Sequence, residues 1–240
     1  MLEANPELGY RDVQEILAYS ARQNDAGSPA WEFNGADNWN GGGLHVSHDV
    51  GFGLVDAHAA VRLAETWTAQ STAANEAFVS ATSAPNLAVI NNGSITDTVA
   101  INTAIRIDYV EVELNLTHSW IGDLVVTLTS PDGTQSVLVN RPGVTASNAD
   151  GVDQADIDFT LSSTHHWGEY GVDNATGIGL WTLEVEDFFV NDGGTLIDWT
   201  LNLYGDVPDG NDTYVYTDEF LGFTGDAGRQ FLSDLDGIDT

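Results

Sequence analysis

The sequence predicts a mainly β protein: an antiparallel β-sandwich or jelly roll preceded by two short helices. Three observations carry this prediction. Beyond residue 86, apolar residues recur with a period of two in stretch after stretch. No long helical pattern interrupts them. Turn formers punctuate them, notably Ser130-Pro131-Asp132-Gly133 and Asn191-Asp192-Gly193-Gly194. Short strands joined by turns, with no helices between them, pair antiparallel and close into two layers.

The elements follow in chain order. Residues 10–22 carry Val13, Ile16, Leu17 and Ser20 at helical spacing, after the breaker Asn5-Pro6. Residues 56–67 predict a second helix with Asp56 as its N-cap. Between them, residues 25–53 are rich in Gly, Asn and Trp and show no period, which predicts loop with short strands. Residues 68–86 are almost entirely Ala, Ser, Thr and Asn, the composition of a linker, and mark the domain boundary. Strand patterns then run through Val110, Val112, Leu114 and Leu116; through Leu124, Val126 and Leu128; and through Ile157, Phe159 and Leu161. They continue through Trp181, Leu183 and Val185, and through Ile197, Trp199, Leu201 and Leu203. Ser130-Pro131-Asp132-Gly133 suits a type I turn joining 124–129 to 137–140, because proline presets φ at the second position. The 191–194 turn is expected to join the last two strands in the same way. From Gly205 onward the chain is acidic and glycine-rich.

Composition restricts function. The 240 residues hold 37 acidic and six basic side chains, all six arginine, for a net charge of −31. Such a surface repels phosphates, which is unfavourable for binding nucleic acid or anionic membranes, and neither is expected as a partner. It suits a salty or calcium-rich medium that screens or bridges carboxylates. The absence of cysteine removes disulfides and thiolate metal sites. No apolar run reaches the roughly 18–20 residues of a membrane span. Met1 is not followed by a basic-then-apolar leader, so the chain is expected to be either cytosolic or cut from a longer polypeptide.

Two stretches resemble a known family. NPELGYRDVQEILAYSA with HDVGFGLVDAHAAVRLAETW, in residues 5–67, is similar to the end of the catalytic domain of kexin- and furin-like subtilisin proteases. THSWIGDLVVTLTSPDGTQSVL, ADGVDQADIDFTLSSTHHWGE and GLWTLEVEDFFVNDGGTLIDWTLNLYG, within residues 88–205, resemble the P domain (Homo B domain) of the same proteases. The resemblance implies four parts: 1–67 as the closing end of the catalytic domain, 68–86 as linker, 87–205 as P domain, and 206–240 as the start of a truncated module. Gly210-Asn211-Asp212-Thr213-Tyr214-Val215 is similar to half of a calcium-binding RTX repeat, and AGRQFLSDLDGIDT to the beginning of a serralysin-type region. The family's catalytic motifs are not found, so a parent serine endopeptidase, bacterial and secreted, is implied to carry its triad upstream of Met1. That parent is implied to prefer basic residues before the scissile bond. The chain itself is expected to be inactive, its P domain packing on the catalytic domain of the same polypeptide. The alternative is a stand-alone, calcium-dependent binding or adhesion module.

Several residues invite a catalytic or metal role. His118, Asp123 and Ser130 have the residue types of a triad, which needs nucleophile, base and orienting acid in mutual hydrogen-bond reach. Ser130 is already explained by its turn, and His118 and Asp123 flank a loop, so no catalytic residue is assigned. His45 and His48, like His165 and His166, lack the rest of a ligand set and are read as structural, with the His165-His166-Trp167 loop packing on the neighbouring catalytic part. Asp123, Asp187 and Asp192 are the candidate calcium ligands, since hard cations take several oxygens from strand ends and turns. Asp150, Asp153, Asp156 and Asp158 are read as a solvated acidic edge.

Overall fold

The structure, a computed structural model, describes residues 1–232, 234 and 237–239. Helix α1 (Tyr10–Ser20) and helix α2 (Ala57–Thr66) flank a two-stranded antiparallel ribbon of β1 (Glu32–Phe33) and β2 (His45–Val46). Asp56 caps α2 as expected: its Oδ1 accepts the N–H groups of His58 and Ala59, both at 3.0 Å.

Among the described residues nine further strands follow. They are β3 (Ala77–Ser83), β4 (Leu87–Ala88), β5 (Gly93–Ile101), β6 (Arg106–His118) and β7 (Leu124–Thr129). Then come β8 (Gln135–Asn140), β9 (Ile157–Ser163), β10 (Gly179–Asp187) and β11 (Gly194–Asp206). One antiparallel sheet has the order β5-β10-β7-β8; the other has β3-β11-β6-β9, with β4 also pairing β11. The inward residues of both sheets form one core, in which Val112, Leu124, Leu128, Trp181, Leu183, Trp199 and Leu201 are fully buried. This is the sandwich the period-two pattern predicts.

The structure differs from the sequence reading in four places. Residues 77–83, expected within a linker, form the edge strand β3, paired with β11 from Ala77↔Gly205 to Ser83↔Trp199. The 191–194 turn is a crossover and not a hairpin, because β10 and β11 lie in different sheets. The inward set of β11 starts at Leu196, not Ile197: a bulge shifts the register from Leu196↔Leu116 to Asp198↔Asn115, which turns Ile197 away. The apolar faces of residues 1–67 are covered, as Leu8, Ile16, Tyr19, Trp39, Leu44 and Trp67 share a second core with Trp167 and Val215. Finally, residues 206–230, read as the start of a truncated module, pack back on the earlier chain. They return to the N-terminal part, where Val215 bridges Trp39. Ser233, Leu235, Asp236 and Thr240, at the close of the AGRQFLSDLDGIDT stretch, lie outside the described residues.

Candidate functional site

The three triad-like residues are not brought together. Ser130 and Asp123 sit beyond opposite ends of β7, whose six residues span about 20 Å at ~3.3 Å each. Ser130 serves its turn: its carbonyl accepts the Gly133 N–H at 3.0 Å, while its buried hydroxyl has no partner. His118 turns instead to Asp187, with Nε2 3.4 Å from Oδ2 and both side chains fully buried. Its Nδ1 lies 2.9 Å from the Trp120 carbonyl.

Asp123, Asp187 and Asp192 do gather at one end of the sandwich. The Asp123 carbonyl accepts the Phe188 N–H at 3.1 Å, tying the turn after β6 to the end of β10. Asp187 Oδ1 accepts the Phe189 N–H at 3.0 Å, and Asp192 Oδ1 accepts the Ser119 hydroxyl at 2.8 Å. Burial, then the neighbouring Asp187 and Asp192, raise the pKa of Asp123, with His118 and Arg141 opposing them. The three carboxylates are not a close triplet. Among the described residues, the group of acidic side chains with ligand atoms within 4.8 Å of one another is Asp212, Asp234 and Asp239. Asp150, Asp153, Asp156 and Asp158 are exposed.

The most developed polar arrangement is a seam between the N-terminal part and the sandwich, which sequence reasoning missed apart from its histidine-tryptophan loop. Asn34, beside β1, donates its Nδ2 hydrogens to the carbonyls of His165 at 2.9 Å and Trp167 at 2.8 Å. Its Oδ1 accepts the N–H groups of Ala36 at 3.1 Å and Leu44 at 2.9 Å, so a buried amide is fully satisfied. Gly35 comes so close to Asp132 that a Cβ would overlap that side chain, which explains glycine there. Its N–H donates to Glu169 Oε1 at 2.8 Å. The same oxygen accepts the Thr134 hydroxyl, and Oε2 lies 3.1 Å from His166 Nδ1.

His166 Nε2 is 2.9 Å from Ser136 Oγ, so Ser136, His166 and Glu169 reproduce the order of a hydrolytic relay. They are at most 1 % exposed, so all three side chains are sealed within the seam. Beside it the His48 and His165 rings meet at 4.0 Å, and His48 Nε2 accepts the Val137 N–H at 2.9 Å. Burial, with His48 and His166 nearby, lowers His165 to about 4, so this ring is neutral at pH 7.

At the other end of the seam Arg11 of α1, 2 % exposed, meets Asp108 of β6 at 2.7 Å and Asp206 of β11 at 3.0 Å. Close by, Arg106 Nη2 donates to the Tyr19 hydroxyl at 3.2 Å and lies 3.6 Å from Glu15. The sequence signal that could have found part of this seam is the i, i+3 spacing of His166 and Glu169. The pairing of Arg11 with Asp108, 97 positions apart, leaves no local signal.

Comparison with known proteins is consistent with this architecture. Residues 107–203 match the family model described as the proprotein convertase P-domain. The chain is 34% identical over 215 residues to proprotein convertase subtilisin/kexin type 6 of Rattus norvegicus, covering 85% of this chain and 21% of the relative. It is 34% identical over 217 residues to furin of Mus musculus, covering 88% of this chain and 25% of the relative. It thus spans a quarter or less of either relative's length. The fold is also that of the crystal structure of Aeromonas sobria serine protease with its chaperone, at TM-score 0.67 and 24% identity, covering 85% of this chain and 41% of that one. No helix among the described residues is long and apolar enough to cross a membrane.

Proposed function

Since the chain belongs to the kexin/furin-like family, with its proprotein convertase P domain at residues 107–203, we propose that it is the stabilising C-terminal portion of a secreted subtilisin/kexin-like serine endopeptidase. In this reading residues 1–67 close the catalytic domain and the sandwich clamps them in place. The observation that carries it is the seam. Asn34, Gly35 and Arg11 of the N-terminal part are each held by buried groups of the sandwich. A sandwich acting alone as an adhesion module has no need of such a surface. In this reading the chain supplies positioning and not the nucleophile, and the Ser136–His166–Glu169 relay is sealed from solvent. Peptide substrates belong to the catalytic domain that it supports.

Calcium belongs to the same proposal. Asp123, Asp187 and Asp192 would offer carboxylate oxygens at the far end of the sandwich. Asp187 Oδ2 is buried without a hydrogen bond, and the three charges are close enough to raise Asp123. A cation there would relieve this repulsion and hold the ends of β6, β10 and β11 together.

A chimera tests the clamp. The catalytic domain of a furin-like relative, ending in residues 1–240 of this chain in place of its own closing segment and P domain, should hydrolyse dibasic peptides. Asn34→Ala should shorten its half-life at elevated temperature while leaving KM unchanged. A chimera equally long-lived without residues 77–205 would overturn the proposal. The 240-residue chain alone should show no turnover, and turnover abolished by Ser130→Ala would restore the triad. Calcium is tested by melting: millimolar calcium should raise Tm beyond sodium chloride at matched ionic strength, and Asp187→Asn with Asp192→Asn should erase that excess. Equal shifts with both salts would remove calcium from the account.

A further inference from the structure

The segment from Thr213 to Gln230 crosses back over the N-terminal part. Val215 donates its N–H to the Asn38 carbonyl at 2.8 Å, and its own carbonyl accepts the Asn40 N–H at 2.8 Å. Asn40 and Thr217 bond reciprocally, at 2.7 and 2.8 Å. Phe223, in the short 3-10 turn Asp218–Phe223, meets Phe33 and Trp39 edge-on with centroids 5.5 and 5.9 Å away. The Arg229 guanidinium lies 4.3 Å over Phe223 and 4.8 Å over Phe33.

Beneath this segment is His45, fully buried and met edge-on by Trp31 at 5.2 Å and Trp39 at 4.9 Å. Its Nε2 is 2.8 Å from the Phe52 carbonyl. That oxygen only accepts, so Nε2 must carry hydrogen. A neutral imidazole has one N–H, and its Nδ1 then presents a lone pair. Facing that lone pair at 3.3 Å is Oε2 of Glu219, whose other oxygen accepts the Gln23 N–H at 3.0 Å. Neither Nδ1 nor Oε2 is otherwise hydrogen-bonded. A lone pair set against a carboxylate repels it, whereas one added proton turns the contact into a charge-assisted bond.

We propose that the C-terminal segment is a proton-latched strap: one proton taken from solvent by the His45–Glu219 pair fastens residues 213–230 onto the N-terminal part, and its loss loosens them. Other charged groups around the pair are few. Arg22 acts on Glu219 and is itself held by Asp56 at 3.1 Å, and the adjoining cleft also carries His58, Arg62 and Asp218. Burial pushes the Glu219 carboxyl up, but His45, the Gln23 N–H and Arg22 outweigh it and leave Glu219 below its ordinary value. With the added proton the His45–Glu219 contact attracts and without it the contact repels, so the strap is held more tightly as pH falls.

Hydrogen exchange on the whole chain at pH 5.5 and 8.0, corrected for intrinsic rates, tests this. Protection of the Val215, Thr217 and Phe220 amides should be about tenfold higher at the lower pH. Amides of β10 serve as reference and should not follow that profile. Glu219→Gln gives neutral Nδ1 an amide donor, so it should keep the strap protected at pH 8.0 and abolish the dependence. Equal protection at both pH values in the unaltered chain would overturn the latch, as would a full pH dependence retained in Glu219→Gln. An NMR titration of His45 in the unaltered chain is a measurement that no substitution can disturb: the strap amides must shift along the same curve, and a curve they do not share also overturns it.

Discussion

Arg11 of α1 places its Nη2 2.7 Å from Asp108 Oδ2 on β6, joining the two parts of the chain through a pair that is almost wholly buried. Burial pushes the Asp108 carboxyl up to about 7 against the pull of Arg11. Arg11→Ala removes that pull along with the contacts to Asp206 and Glu76, so it should destabilise the chain at pH 7 and drive the Asp108 carboxyl to take up a proton. The sign with pH follows. A carboxyl whose folded pKa is raised opposes folding when ionised, and this penalty fades as protonation neutralises it. The cost of Arg11→Ala should therefore shrink between pH 7 and pH 5 in urea melts. A cost independent of pH would mean that Asp108 is not the group left uncompensated.

Glu169 gives the opposite sign. Burial raises its carboxyl, but the bonds from His166, Thr134 and Gly35 outweigh burial and leave it below the ordinary 4.5. Its contribution is present above that value and is lost as pH falls through the lower folded one. Glu169→Ala should cost about 3–5 kcal/mol at neutral pH, since it leaves His166 Nδ1 and the buried Thr134 hydroxyl without their partner. The gap between variant and unaltered chain should close in acid, and urea midpoints measured from pH 7 down to pH 3 would show it. A gap that stays constant would assign the loss to packing.

Trp199 tests the register of β11. It is fully buried, and its Nε1 donates to Asp97 Oδ2 at 2.8 Å across the sandwich. Trp199→Ala should cost about 3–5 kcal/mol. Thr200→Ala, on the other face, should stay within about 1 kcal/mol. Equal costs would mean that the bulge at Ile197 is misplaced.

The limits of sequence reading are visible in these elements. The strands with large inward residues, such as Trp181, Leu183 and Val185, were legible because alternation of bulky and polar groups has no other reading. Strand β3 was not: its inward residues Ala77, Val79 and Ala81 are small and its outward ones are Phe78, Ser80 and Thr82, so an edge strand has the composition of a linker. The Ile197 bulge was hidden because Leu196 and Ile197 are equally apolar, and only pairing with Leu116 decides which one enters the core. At the site, the turn chemistry of Ser130 was enough to reject a triad. The seam is another matter, because Asn34 and Trp167 lie 133 positions apart and no period links them.

The central claim is that the N-terminal part and the sandwich fold as one unit across this seam. Native-state hydrogen exchange across the whole chain tests it most directly. Amides in the second half of α1, residues 13–20, and in the middle of β6, residues 110–116, should open with the same free energy and the same dependence on denaturant. If α1 exchanges through its own fraying while β6 remains protected, the seam does not couple the two parts, and the clamp has no basis in this molecule.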